Sequence, residues 1–236
     1  MNAIALTELR MLIRNRLVAL CAIAVPLVAG ILLVWRADDI AGGAAAIAAL
    51  QLVVMASMGL YVTATTTLSA RRQTLMLKRL RSGTASDPAV LTGLLVPLVL
   101  VNVVQIVAVL IALAASTTAP GNIALVDVAV IVAEVMLTGF ALATAGVTTS
   151  PEHAQFTTLP VFLVVSGAGL WVAVTGLHDL FWVKLLIPGG AIAHLVTAGW
   201  GGVASGDVAL AAGAALAWAL VAGAVAWRMF RWEPRR

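Results

Sequence analysis

The chain has 236 residues, of which 62% are hydrophobic and only 10% are charged, and its formal net charge is +4. Soluble domains carry about 25% charged residues, so this composition excludes an ordinary water-soluble fold. Several apolar runs reach about 20 residues, the length that a helix needs to cross a hydrocarbon layer of about 30 Å. Because backbone groups in lipid need partners within their own segment, the sequence predicts an all-α integral membrane protein.

The first 16 residues predict an amphipathic helix that lies along the membrane surface. Apolar side chains fall on one helical face, and Arg10 and Arg14 fall on another, where they would meet anionic lipid headgroups. An equally open interpretation is that these arginines serve only to orient the first span.

The apolar runs, separated by charged clusters and by Gly and Pro, predict six membrane spans. Their bounds are Leu17–Trp35, Ile40–Leu68, Pro88–Ser116, Ile123–Thr149, Gln155–Thr175 and Asp207–Trp227. Twelve of the 14 Lys and Arg residues fall before the first span, between the second and third, or after the last; the other two are Arg36 and Lys184. Since positively charged loops stay in the cytoplasm, both termini are expected to face the cytosol.

The loop after the second span holds five of the 14 Lys and Arg residues between Arg71 and Arg81. Thr74–Arg81 has the pattern of a short helix with an apolar stripe, and Gly83 is placed to end it. Asp87 and Pro88 then form a helix start signal for the third span. A bounded basic helix with apolar residues indicates docking to another protein, although the charges alone also fit a role in membrane orientation.

Polar side chains within the third and fourth spans are the main candidates for a buried site. Asn102 and Gln105 lie about as far from the cytoplasmic side as Glu134 does, because the two spans run in opposite directions. We therefore expect a hydrogen-bonded cluster of these three side chains. It either lines a substrate path or gates it, or it joins helices in a purely structural role.

Two further features concern packing and the outer side. Small residues, Gly139 among them, predict close helix contacts within the subunit or between subunits. The stretch 176–206 contains apolar pieces too short to cross, which predicts a pair of re-entrant or interfacial outer helices. There His178, Asp179 and Lys184 are expected to mark the aqueous side.

The sequence lacks the motifs that nucleotide binding and several enzyme activities require. A P-loop needs G-K-[ST], but the two lysines, Lys78 and Lys184, follow Leu77 and Val183. Neither G-x-S-x-G nor H-E-x-x-H occurs, and the three histidines are too scattered for a metal cluster. The sequence therefore predicts no catalytic residue, no metal or cofactor in this chain, and no nucleic acid partner.

The order of several motifs resembles the permease subunit of ABC-2-type exporters. The segment "LKRLRSG…DP…LTG" at 77–93 is similar to that family's basic stretch before the third span. Pro151 to Gln155 resembles its polar segment before the fifth span, Ser166-Gly167 resembles the "SG" within that span, and Pro188 resembles the proline before the last span. The chain departs from the family after "SG", where Ala168-Gly169-Leu170-Trp171 stands in place of an aromatic and a proline, and after Pro188, where Gly189-Gly190-Ala191-Ile192-Ala193 replaces an aromatic-rich segment.

The resemblance implies that 71–83 is a coupling helix that fits into a separate P-loop ATPase, with a second contact at 150–155. The implied ATPase-coupling residues are Leu75, Met76, Leu77, Lys78, Arg79, Leu80, Arg81, Glu152 and His153. Two ATPase copies would bind ATP and Mg²⁺, and this chain would pair with itself or with a sibling permease.

The implied function is export of a hydrophobic or amphipathic compound, such as a drug, lipid or natural product, across a bacterial cytoplasmic membrane. The alternative is a stand-alone protein, either a proton-coupled carrier that uses Glu134 or a membrane scaffold. A carrier is expected to show inverted repeats, and the sequence has no convincing internal similarity.

Overall fold

The computed structural model of the protein describes residues 25–35, 42–81, 86–177, 179–202, 206–230 and 232. All regular structure in these ranges is helical, which confirms the all-α class for the described part. The predicted surface helix with Arg10 and Arg14 lies outside the described residues. The described ranges contain ten helices: α1 Val25–Trp35, α2 Gly43–Gln73, α3 Met76–Arg81, α4 Asp87–Ser116, α5 Ile123–Val147, α6 Pro151–Thr157, α7 Leu159–Thr175, α8 Phe181–Leu186, α9 Gly190–Gly201 and α10 Gly206–Met229.

Four of the described helices, α2, α4, α5 and α10, are long and apolar enough to cross a membrane. The pair α6 and α7, bent by 42°, makes a fifth if the two helices form one span. Of the predicted first span, only the 11 residues of α1 are described. The described helices therefore fit a multi-pass membrane protein with four or five spans, and the sixth span and the orientation stay predictions.

The second span differs most from its expected form. Helix α2 contains a π-helical stretch, Ala56–Val62, and continues past the predicted end to Gln73. It stops at a turn in which Leu75 has a left-handed backbone with φ of 55°. The predicted coupling helix is therefore divided, because Arg71 and Arg72 belong to the end of α2 and only Met76–Arg81 forms a separate helix.

Helix α9 occupies the centre of the bundle, where it packs against α2, α5 and α7. Nine of its twelve residues are buried. Its C-terminal end is hydrogen-bonded to the α4–α5 loop, because the Asn122 amide donates to the Gly199 carbonyl at 2.8 Å. Its N-terminal end follows a turn at Gly189, and the backbone of Gly189 lies directly against Val165 in α7.

The helices α8 and α9 consequently form a hairpin that enters the bundle from one end and returns to the same end. The depth of the turn is marked by Trp218, halfway along α10, whose indole N–H donates to the Leu186 carbonyl at 2.7 Å. This geometry is the one expected of a re-entrant pair, and its position relative to lipid stays a prediction.

Lys184 in α8 was expected to be solvated, and this prediction is wrong. Its side chain is only 1% exposed, and the ammonium group donates to Thr175 Oγ1 and to the Gly176 carbonyl, both at 2.8 Å. It also lies 5.2 Å from the centre of the Trp171 ring. Lysine is tolerated here because the carbonyl end of α7 carries partial negative charge and the indole face attracts a cation.

Helices α5 and α10 pack closely because glycines on α5 face the α10 backbone. A Cβ atom at Gly139 would lie 2.8 Å from the Ala222 carbonyl carbon and 2.9 Å from the Ala222 Cβ. A Cβ atom at Gly146, two turns further along α5, would likewise overlap the backbone of Met229. Of the small residues expected to allow close helix contacts, Gly139 therefore makes such a contact within the subunit.

Gly139→Ala is expected to lower the free energy of unfolding by about 1–3 kcal/mol, because the added methyl group meets backbone and has no room to move. The matched control is Gly223→Ala on α10, where a Cβ has no neighbour within 4 Å. That change is expected to be neutral or to stabilise the helix by about 0.5–1 kcal/mol. Thermal unfolding in detergent measures both variants, and equal stability of the two would contradict the contact.

Candidate functional site

Two groups of residues are candidates for function, one at a helix end and one inside the bundle. The first lies at what we call the basic end, defined by Arg71 and Arg72 of α2, by α3 and by the α5–α6 loop. Both α3 and α6 pack against the last part of α2, Thr63–Gln73. The two predicted ATPase contacts therefore both lie against the same segment of α2.

Arg72 fixes the end of α2 to the end of α5. Its side chain is 2% exposed, and its guanidinium donates to the Ala145 carbonyl and, at 3.4 Å, to the Thr148 carbonyl. These carbonyls belong to the last turn of α5, where a cation is favoured by the helix dipole and by unpaired acceptors. From the sequence, Arg72 belongs to the orienting charges and to the implied coupling helix 71–83, and no local signal distinguishes it from Arg71.

The α2–α3 turn and α3 point their apolar side chains in different directions. Leu77 is completely buried, whereas Leu75 is 44% exposed and Arg79 is exposed. Met76 is half-buried, and its sulfur accepts a hydrogen bond from Arg71 Nη1 at 2.7 Å. Leu77 is therefore a packing residue, and the predicted partner contact of the others stays a prediction. The side chains of Lys78, Leu80 and Arg81 lie outside the described part.

Helix α6 presents the second predicted contact. Ser150 caps the helix by accepting a hydrogen bond from the His153 amide at 3.3 Å, with Pro151 in the first turn. Glu152 and His153 are both exposed. The Thr148 and Thr157 hydroxyl groups are hydrogen-bonded at 2.8 Å, which ties α6 to the same α5 end that Arg72 contacts.

The second group is the buried polar pair of Asn102 in α4 and Glu134 in α5. Asn102 Nδ2 donates to Glu134 Oε1 at 2.6 Å, and both side chains are buried. Asn102 lies 15 residues from Asp87 and Glu134 lies 13 residues from Val147, so both stand about 20 Å from the basic end. This bond was expected from their matching depth.

Gln105 was expected in the same hydrogen-bonded cluster, but its buried amide has no hydrogen-bond partner among the described residues. Glu134 Oε2 and Asn102 Oδ1 likewise have none. Two α2 side chains share this property, namely Gln51 through its amide nitrogen and Ser57 through its hydroxyl group. Buried polar atoms are normally paired, so each of these unpaired ones calls for an explanation beyond apolar packing.

Ser57 was not singled out by sequence reasoning. It lies in the π-helical stretch of α2, and π-helical segments are frequent at functional sites. Serine is common in membrane helices, so only the observed π geometry separates Ser57 from its neighbours.

Comparison with family models, with curated proteins and with solved structures finds no significant match to this chain. The fold itself defines an all-helical protein, in its described part, whose apolar helices fit a multi-pass membrane protein.

Proposed function

We propose that the chain is the transmembrane permease subunit of an ABC exporter of the ABC-2 type. It is not an enzyme; a separate P-loop ATPase, present in two copies, binds ATP and Mg²⁺ and hydrolyses the nucleotide. The complex lies in a bacterial cytoplasmic membrane, with the basic end facing the cytosol. A second copy of this chain or a sibling permease completes the transport path.

The proposal rests on the basic end, where α3 and α6 both pack against the last part of α2, Thr63–Gln73. An ATPase that contacts both segments engages a surface with exposed Leu75 and Arg79 on one side and exposed Glu152 and His153 on the other. Such a mixture of apolar and charged side chains is compatible with a protein contact.

The structure also supports a route by which motion at this surface reaches the interior. Arg72 joins α2 to the end of α5, and α5 carries Glu134, which is bonded to Asn102 on α4. Movement of the ATPase subunits would therefore shift α2 and α5 as rigid bodies and change the packing of these helices. The transport path would be lined in part by Asn102, Gln105 and Glu134.

The cargo is a hydrophobic or amphipathic compound such as a drug, a lipid or a natural product. Between Ala44 and Ala70, and throughout α4 after Asp87, no charged residue occurs. A transport path lined by these uncharged stretches would favour apolar molecules with a few hydrogen-bonding groups.

Affinity purification in mild detergent tests the proposal. A tagged chain isolated from its native host is expected to retain a protein that contains G-K-[ST] and hydrolyses ATP. Recovery of the chain without an ATPase, under conditions that preserve its thermal unfolding transition, would contradict the proposal.

The buried carboxyl of Glu134 keeps one alternative in view, a stand-alone proton-coupled carrier. Ionisable groups inside membrane helices commonly serve proton relays. Such a carrier would move its cargo in vesicles that lack any ATPase, driven by a pH gradient alone.

A further inference from the structure

Two glutamine side chains, Gln51 in α2 and Gln105 in α4, are buried without using their full hydrogen-bonding capacity. They are only 3% and 5% exposed. Gln51 Nε2 and both polar atoms of the Gln105 amide have no hydrogen-bond partner among the described residues. Leaving a buried amide unpaired is costly, so the presence of two such glutamines indicates that something outside the described chain pairs with them.

The two glutamines belong to one region of the bundle, where α1, α2 and α4 meet. A Cβ atom at Gly30 in α1 would lie 3.4 Å from Gln51 Nε2 and 3.1 Å from both methyl groups of Val109 in α4. Gln51 and Val109 therefore approach the same point on α1. Val109 comes four residues after Gln105, so these two side chains are neighbours on one face of α4. The Gln105 amide consequently lies about one helical turn from the level of Gln51.

Further unpaired atoms continue the region along the same face of α4. Asn102 comes three residues before Gln105, and its Nδ2 donates to Glu134 Oε1 at 2.6 Å. Asn102 Oδ1 and Glu134 Oε2 have no partner in the part of the chain that the structure describes. The region thus offers unpaired N–H donors from two glutamines and unpaired acceptor oxygens from Gln105, Asn102 and Glu134. Its neighbours on α4, Ile106 and Val109, are buried and apolar.

We propose that Gln51 and Gln105 form a binding site for the uncharged amide group of a lipophilic molecule. The ligand carbonyl accepts from the glutamine N–H groups, and the ligand N–H group donates to Gln105 Oε1 or Asn102 Oδ1. A neutral amide fits because it offers an acceptor and a donor together and brings no charge into an apolar region. This inference rests on the proposed function in taking the bound molecule as the cargo, and it narrows the cargo to lipophilic amides.

The test compares two ligands of equal chain length, decanamide and 2-undecanone, on the full chain in lipid nanodiscs. The ketone keeps the carbonyl group but carries a methyl group in place of the amino group. With concentrations taken in the membrane phase, decanamide is expected to bind at least about tenfold more tightly, because the ketone leaves buried acceptors unpaired. Thermal unfolding at increasing ligand concentration measures both affinities, since a ligand of the folded state raises the unfolding temperature.

Gln105→Leu removes an unpaired amide and keeps a side chain of similar size. The ligand-free variant is expected to unfold at the wild-type temperature or about 2–4 °C higher, because no hydrogen bond within the protein is lost. Its affinity for decanamide is expected to fall to about that for 2-undecanone. Gln73→Leu is the matched control, since it makes the same replacement at the exposed end of α2. It is expected to leave the preference for the amide unchanged.

Equal affinity of the wild-type chain for the two ligands would overturn the site, and this comparison needs no variant. A lower unfolding temperature of Gln105→Leu with an unchanged amide preference would also overturn it, because the amide would then bond to the protein itself or to bound water. Tighter binding of decylammonium than of decanamide would overturn the choice of an uncharged group. If the chain binds decanamide as expected but retains no ATPase, the proposed function fails instead, so the two failures are distinguishable.

Discussion

Arg72→Met is expected to destabilise the protein by about 2–4 kcal/mol, although it removes one of five basic residues in a short basic stretch. The methionine keeps the apolar part of the side chain but leaves the Ala145 and Thr148 carbonyls without their charged donor. Hydrogen bonds to charged groups are about twice as strong as neutral ones, and these carbonyls are buried by the same packing that buries Arg72.

Two variants serve as controls for this measurement by chemical or thermal unfolding in detergent. Arg79→Met removes an exposed guanidinium from the same stretch and is expected to lower stability by less than Arg72→Met does, because exposed charges contribute less than buried ones. Arg72→Lys keeps the charge but lacks the planar fork that reaches two acceptors, so an intermediate loss is expected. Equal stability of Arg72→Met and Arg79→Met would show that Arg72 serves only to orient the chain.

The second large effect is expected at the buried polar pair. Asn102→Leu removes the donor to Glu134 Oε1 and leaves a buried carboxyl without its observed partner, so a loss of about 2–4 kcal/mol is expected. Glu134→Gln keeps an oxygen that accepts from Asn102, and its loss of stability is expected to be below about 1 kcal/mol.

Glu134→Gln also separates the two roles considered for the pair. If the pair lines the path, this variant assembles normally with its ATPase but loses efflux of a lipophilic dye from cells by about tenfold or more. Normal assembly together with full efflux would contradict the role in transport and leave the pair as a structural link between α4 and α5.

Helix positions could be predicted from the sequence to a large extent because they depend on local features. Uninterrupted apolar runs and the start signal at Asp87 and Pro88 placed α4 and α5 within a few residues of their observed bounds. The depth match of Asn102 and Glu134 followed from helical rise alone. The turn at Leu75 was not predicted, since leucine is a poor residue for a left-handed backbone.

The roles of the two buried cations could not be predicted for a different reason. Lys184 and Arg72 are paired with backbone carbonyls at the ends of α7 and α5. Every residue carries a carbonyl, so the sequence does not mark which ones a cation will meet. For the same reason the side chain of Gln105 was wrongly expected to bond with its neighbours, because depth fixes its level and not the direction of its amide.

We propose that the basic end couples this chain to an energy-supplying ATPase. The most direct measurement is the ATP hydrolysis rate of the co-purified ATPase in proteoliposomes, alone and assembled with the chain. We expect the rate to change several-fold on assembly. An ATPase rate that is the same with and without the chain, under conditions in which both proteins are present and folded, would contradict it.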